Sequence, residues 1–238
     1  NLFLFGISQD EWQLIRNNPL KPLINKTLSG LYSPGSTIKP IVALSALENK
    51  VIDTKFKVKC TGKMELYGQT FHCWKEKGHG WVSLKNAMKQ SCDTYFYEVA
   101  RLLGVDRLNI TAEKFGLGKK VLGDYFDNEK KGLFPNTKWK KNNLGKGWVL
   151  GETLITGIGQ GYTQTTPLQL CMMTAQIANG GYAIKPKIIV DSNPISYEDA
   201  KQSMESGLLF DAGSEELLDK KLFKNQKNIK IVQEAMFA

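Results

Sequence analysis

The sequence predicts a globular chain of mixed helices and strands, on three observations. Ile38, Ile41, Val42, Ala46 and Leu47 recur at helical spacing, which gives the stretch from Ser36 to about Glu48 one apolar face. Lys55-Phe56-Lys57-Val58-Lys59 alternates charged and apolar residues, the period of a half-buried strand. Hydrophobic residues make up 42% of the 238 and charged residues 23%, enough of each for a core and a solvated surface. The length suits one large domain or two small ones. No apolar run approaches the roughly 20 residues that a membrane-crossing helix needs. No signal-peptide pattern is present either.

Asn1-Leu2-Phe3-Leu4-Phe5-Gly6 reads as a strand already under way. A short helix containing Glu11-Trp12-Gln13-Leu14-Ile15 follows, then a loop through Pro19 and Pro22. The abrupt start and the apolar end, Glu234-Ala235-Met236-Phe237-Ala238, are expected of a piece of a longer protein. Pro34-Gly35 is a turn that delivers Ser36 to the first turn of a helix. Pro40 also falls in that turn, where a missing amide hydrogen costs little. The strand at 55–59 leads into a loop rich in Gly, Cys and His from 60 to 80. Ser83 is placed to cap a second helix, which Ser91-Cys92-Asp93 interrupts. A third helix carries Tyr95, Phe96, Val99, Leu102 and Leu103 inward and stops at Gly104. Asp106 reads as the cap of a short helix that ends before Gly116. Residues 117–153 read as loop-rich and basic. In the turn Thr156-Gly157-Ile158-Gly159-Gln160-Gly161 the glycines permit close packing beneath a site. Thr166-Pro167 starts a helix that runs to about Asn179, where Gly180-Gly181 ends it. Residues 186–230 are polar and weakly patterned, and there is no internal repeat.

The net charge of +9 comes from lysine clusters such as Lys119-Lys120, Lys130-Lys131, Lys138-Trp139-Lys140-Lys141 and Lys220-Lys221. These read first as a solvated surface. An anionic membrane surface or an anionic polymer is the sharper alternative. Nucleic acid is disfavoured: there is no recognition-helix pattern, no aromatic RNA-binding signature and no paired-His finger spacing.

Two short motifs carry chemistry. Ser36 and Lys39 stand three residues apart, so a helix puts them on one face. This is the only Ser-x-x-Lys in the chain. A serine hydroxyl needs a neighbour that takes its proton, and a neutral amine can do so. Burial favours that neutral form. A helix cap beside a solvated lysine is the bland alternative. The second motif is Ser91-Cys92-Asp93, between two helices. Its hydroxyl and carboxylate could line one wall of a pocket, or Asp93 could simply cap the next helix.

Together the motifs resemble the penicillin-binding protein and serine β-lactamase superfamily, whose signature joins Ser-x-x-Lys to a Ser-Asp-Asn type and a Lys-Thr-Gly type element. The likeness is greatest to the transpeptidase domain of class B penicillin-binding proteins of the elongation type, penicillin-binding protein 2. It is carried in order by Pro34-Gly35-Ser36-Thr37-Ile38-Lys39-Pro40, Gly78-His79-Gly80, Ser91-Cys92-Asp93-Thr94-Tyr95-Phe96-Tyr97, Gly157-Ile158-Gly159-Gln160-Gly161 and Thr166-Pro167-Leu168-Gln169. It covers roughly residues 1–190.

The resemblance implies an α/β fold, a mostly antiparallel sheet beside an all-helical lobe with the active site between them. It implies a peptidoglycan D,D-transpeptidase that works through a serine acyl-enzyme during cell elongation and is a target of β-lactams. Ser36 would be the nucleophile, Lys39 the general base, Ser91 the proton relay to the leaving D-alanine and Asp93 a substrate ligand. No cofactor is required for that chemistry. A D,D-carboxypeptidase or β-lactamase, and a non-catalytic β-lactam sensor or scaffold module, are the alternatives. No Lys-Thr-Gly or Lys-Ser-Gly occurs in the chain. Residues 1–238 are therefore expected to be a C-terminally truncated, catalytically impaired transpeptidase domain, with a membrane anchor and a pedestal domain outside the chain. The implied partners are stem peptides, β-lactams and proteins of the rod-shape complex, at the periplasmic face of the bacterial inner membrane.

Of the four cysteines, Cys171 lies in an apolar helix and reads as core. Cys60, Cys73 and Cys92, with His79 among them, offer three thiolates and an imidazole, a complete tetrahedral zinc set. His72 is the competing imidazole. A Cys60–Cys73 disulfide and separate thiols are the alternatives.

Overall fold

The computed structural model describes residues 3–123, 126–186 and 220–238. Helices dominate. They are α1 (Gln9–Arg16), α2 (Lys26–Ser29), α3 (Lys39–Glu48), α4 (Leu84–Lys89), α5 (Asp93–Leu103), α6 (Val105–Lys114), α7 (Thr137–Leu144), α8 (Leu150–Gly157), α9 (Pro167–Ala178) and α10 (Gln226–Met236). A 3-10 turn, Gly35–Ile38, leads directly into α3. The strands form two antiparallel pairs. β1 (Lys57–Cys60) pairs with β4 (Gly80–Ser83), Cys60 opposite Gly80. β2 (Lys63–Leu66) pairs with β3 (Gln69–His72), Lys63 opposite His72. This is the expected helical lobe with small antiparallel sheets at its side.

Helix α3 is the axis of the core. Every residue from Lys39 to Leu47 is buried. It packs against α4, α5, α6 and α10, and Ile41, Leu44, Phe96, Leu108 and Ile229 are fully enclosed among them. Each such side chain contributes about 1.5–3 kcal/mol by leaving water. Helix α8 crosses α5 at close range: a Cβ at Gly157 would stand 2.4 Å from Ala100 Cβ. Lys39 and Ser45 are the polar residues in this buried column, and Lys39 is the charged one.

Several elements differ from the sequence reading. The described residues of the opening segment form turns, not a strand. The loop 60–80 holds the β2–β3 hairpin. Asp106 lies inside the first turn of α6 and caps α7 instead, accepting from Thr137 N–H and Oγ1–H at 2.9 Å each. The basic stretch 117–153 contains α7, whose Lys140 is not solvated: it is buried and pairs with Glu152 of α8, Nζ to Oε1 2.5 Å. Cys171 is exposed on α9, so it is not core. Of the polar segment 186–230, residues 187–219 lie outside the described residues, and its end is helical, α10. The predicted start of α9 is borne out. Thr166 and Gln169 form a capping box, with Pro at the first helical position.

Candidate active site

Ser36 sits in the 3-10 turn, exposed at the rim, and Lys39 begins α3 just beneath it. Gly35, at φ +58°, makes the turn possible. Its N–H donates to the Gly159 carbonyl at 3.0 Å. A Cβ at Gly159 would lie 2.2 Å from the Gly35 carbonyl oxygen. The glycine turn therefore supports the Ser36 loop by direct backbone contact, as its composition predicts.

Ser91 faces this turn from the end of α4. Its N–H donates to the Met88 carbonyl at 3.1 Å, and that of Cys92 donates to the Ala87 carbonyl at 2.9 Å. These two bonds make a Schellman motif with Ser91 at the left-handed position that glycine ordinarily fills. Ser91 has φ +49°. A non-glycine residue there costs on the order of 1–2 kcal/mol. A hydroxyl has been kept where a glycine would be more stable.

The four predicted residues converge. Ser91 Oγ–H donates to Ser36 Oγ at 3.1 Å. Lys39 Nζ donates to Ser91 Oγ at 2.9 Å, to the Ser91 carbonyl at 2.9 Å and to Asp93 Oδ1 at 2.7 Å. All three donors of Nζ are thus used. Among the described hydrogen bonds Lys39 meets Ser36 through Ser91 Oγ, not directly. Lys39 is only 2% exposed and Asp93 13%. The ring of Phe96 lies 5.3 Å from Nζ and shields it from water on that side. The arrangement can pass a proton between an exposed hydroxyl and a buried amine in either direction.

Beside this cleft the Cys and His residues also converge. Cys60 ends β1, Cys73 follows β3, His79 precedes β4 and Cys92 immediately precedes α5. Their ligand atoms all lie within 4.8 Å of one another. His79 Nδ1 is 3.5 Å from Cys60 Sγ and 3.6 Å from Cys73 Sγ. His72 is exposed at the end of β3 and stays outside. All four cysteines are free, so no disulfide joins Cys60 to Cys73. Burial alone would raise the Cys60 thiol's pKa. Hydrogen bonds from the Thr94 hydroxyl, His79 and the Gly62 backbone outweigh it and bring the value to about 6. Burial pushes the Cys92 thiol well up.

Sequence reasoning missed Trp74, which borders Ser91 and Asp93. Its position next to Cys73 in a chemically dense loop is the only signal that singles it out.

The family described as "Penicillin binding protein transpeptidase domain" matches residues 8–231. The peptidoglycan D,D-transpeptidase MrdA of Acinetobacter baumannii is 40% identical over 191 residues, 79% of this chain and 28% of that protein. MrdA of Escherichia coli is 36% identical over 204 residues, 85% of this chain and 31% of that protein. This chain therefore spans less than a third of the length of these relatives. The crystal structure of Pseudomonas aeruginosa PBP2 in complex with WCK 5153 superposes with TM-score 0.81 at 37% identity, over 97% of this chain and 49% of that one. Helicobacter pylori PBP2, in its complex with MreC, gives TM-score 0.75 at 34% identity, over 87% of this chain and 40% of that one. The family match over residues 8–231 and the identity to these relatives show that the chain belongs to the penicillin-binding protein transpeptidase domain family.

Proposed function

We propose that residues 1–238 are part of the transpeptidase domain of an elongation-type peptidoglycan D,D-transpeptidase. The observation that carries this is the unbroken contact from Ser36 Oγ through Ser91 Oγ to Lys39 Nζ. With Lys39 in its amine form, both hydroxyls turn to donate inward. Ser36 Oγ attacks the carbonyl between the last two D-alanines of a stem peptide. Its proton passes to Ser91 Oγ as the Ser91 proton passes to Lys39 Nζ. When the tetrahedral adduct collapses, the C–N bond breaks, Ser91 Oγ–H gives its proton to the leaving D-alanine amine and Lys39 returns one to Ser91 Oγ. An acyl-enzyme remains on Ser36. An amine from a neighbouring stem peptide then attacks it, and the crosslink forms as Ser36 regains its proton. Asp93 holds Lys39 through Oδ1 while Oδ2 accepts from the Trp74 N–H, and its carboxylate is read as a hydrogen-bond partner of the substrate backbone. The Ser36 backbone N–H contributes to the oxyanion site.

A β-lactam presents a strained amide to the same hydroxyl and is expected to acylate Ser36. In the full-length protein Ser36→Ala should abolish covalent penicillin labelling. A labelled variant would remove Ser36 from the nucleophile's role.

We further infer that Cys60, Cys73, His79 and Cys92 hold a zinc ion. The donor set and its mutual proximity fit a closed structural site, and a Cys60 thiol that ionises near pH 6 suits ligation. Bound zinc would supply a cross-link among β1, β3, β4 and α5, not a reaction step. Protein purified without added metal should carry close to one zinc per chain, and metal-free protein with an intact fold would refute the site. By likeness to the MreC-bound relative, the full-length protein is read as a member of the elongation machinery. It would be anchored outside this chain and face the periplasm.

A further inference from the structure

Trp74 grips both ends of the Ser91-Cys92-Asp93 element. Its backbone N–H donates to Asp93 Oδ2 at 3.1 Å. Its indole Nε1–H is shared between the carbonyls of Gln90, at 3.0 Å, and Ser91, at 3.1 Å. Lys39 mirrors these contacts from the other side, on Asp93 Oδ1 and on the same Ser91 carbonyl. Helix ends leave carbonyls without partners, and the indole satisfies that of Gln90, the C-cap of α4, while sharing the Ser91 carbonyl with Lys39.

The position of the Ser91 peptide matters because its backbone is left-handed. A non-glycine residue keeps that conformation only where its surroundings impose it. Rotating this peptide would swing the Ser91 hydroxyl away from Ser36. The two donors on the Ser91 carbonyl oppose that rotation. Burial does not explain the indole's place, since Trp74 is 64% exposed. Its hydrogen bonds do, together with an edge-on contact to the His79 ring at 5.3 Å between centroids. The backbone behind it is fixed by the Cys73 N–H, which donates to the Gly62 carbonyl at 2.8 Å.

We propose that Trp74 is a positioning residue of the proton relay: through its indole N–H it holds the Ser91 carbonyl so that Ser91 Oγ stays between Ser36 and Lys39. This rests on the acyl-transfer reading above.

The test uses the full-length protein and single-turnover acylation by a fluorescent penicillin, resolved into a saturating rate and a half-saturating concentration. Trp74→Phe keeps an aromatic ring and the backbone N–H while removing the indole donor. Its saturating rate should fall about tenfold, roughly the worth of one hydrogen bond, with the half-saturating concentration nearly unchanged. Benzothienylalanine at position 74, sulfur in place of the indole N–H, should give the same loss at full ring volume. In a Ser91→Ala background Trp74→Phe should change little, because no hydroxyl is left to aim. An equal loss in both backgrounds would overturn the proposal. So would an unchanged rate, or an effect confined to the half-saturating concentration. Labelling that survives Ser36→Ala would bring down the underlying acyl-transfer reading instead, so the two failures are distinguishable.

Discussion

Lys39 Nζ and Asp93 Oδ1 lie 2.7 Å apart across the junction of α3 and α5, both shielded from water. Removing one partner of a buried pair leaves the other without compensation, at a cost of roughly 3–5 kcal/mol. The two oxygens of Ser91 remain as acceptors for Lys39, so Asp93→Ala should sit near the lower end, about 3 kcal/mol. Asp93→Asn retains an acceptor for the Trp74 N–H and should fall between wild type and alanine. Urea unfolding of the three proteins checks the order.

Ser91 should show stability and chemistry pulling apart. Glycine and alanine both delete the hydroxyl and should both slow penicillin acylation. Glycine also relieves the left-handed backbone, whereas alanine does not. Ser91→Gly should therefore be more stable than Ser91→Ala by about 1 kcal/mol. Equal unfolding midpoints for the two would argue that the Schellman geometry carries no strain.

Much of this centre is legible in the sequence because it is local. Ser36 and Lys39 share a turn that Pro34-Gly35 announces, and the support from Gly159 follows from a glycine that tolerates no side chain. Ser91 was legible as a motif but not as a strained helix end. Nothing local announces that a serine occupies a glycine's place. The β2–β3 hairpin hid because its turn is Tyr67-Gly68, both at positive φ, where Asn-Gly is the usual signal. Helix α7 hid because its lysines mask any apolar period, although one of them, Lys140, is buried. In α10 the inward Ile229, Val232 and Ala235 do carry helical spacing, diluted by polar neighbours. The thiol cluster draws on four separate elements. Residue types suggested it, and only tertiary packing could assemble it.

Gly159→Ala should disturb the Ser36 loop from beneath. The new Cβ would meet the Gly35 carbonyl, and φ is +72° at this position. Overpacking of this kind costs about 1–3 kcal/mol. Because the clash bears on the residue next to Ser36, acylation should slow more than a remote substitution of equal stability cost. Comparing penicillin labelling rates in the two kinds of variant checks this.

Tyr97 ties α5 to the hairpin, its hydroxyl donating to the His72 carbonyl at 3.0 Å. Burial, with Asp93 and Cys73 nearby, pushes its pKa from 10.0 up to about 12. The native state keeps the proton where the unfolded chain loses it. The associated stability is complete below pH 10.0 and is lost as pH rises through about 12. Ultraviolet titration should show two late-ionising tyrosines, Tyr97 and the buried Tyr95, and Tyr97→Phe should remove the earlier of the two. That variant should also lose about 1 kcal/mol, for the His72 carbonyl left without its donor.

Removing the proposed zinc should act on the wall that carries Ser91 and Asp93 as well as on the fold. Cys92 lies between Ser91 and Asp93, and Cys73 precedes Trp74, so two of the proposed ligands adjoin residues of the proposed relay. A loss of about 3 kcal/mol on chelation would lower the melting midpoint by roughly 10 °C in a domain of this size. Penicillin acylation should slow in parallel, and both effects should reverse when zinc is restored. Cys92→Ser should reproduce the chelated state. Cys171→Ser, at an exposed position outside the cluster, should leave midpoint, metal content and acylation unchanged. A chelated protein with its midpoint intact would mean that packing alone holds the four side chains together.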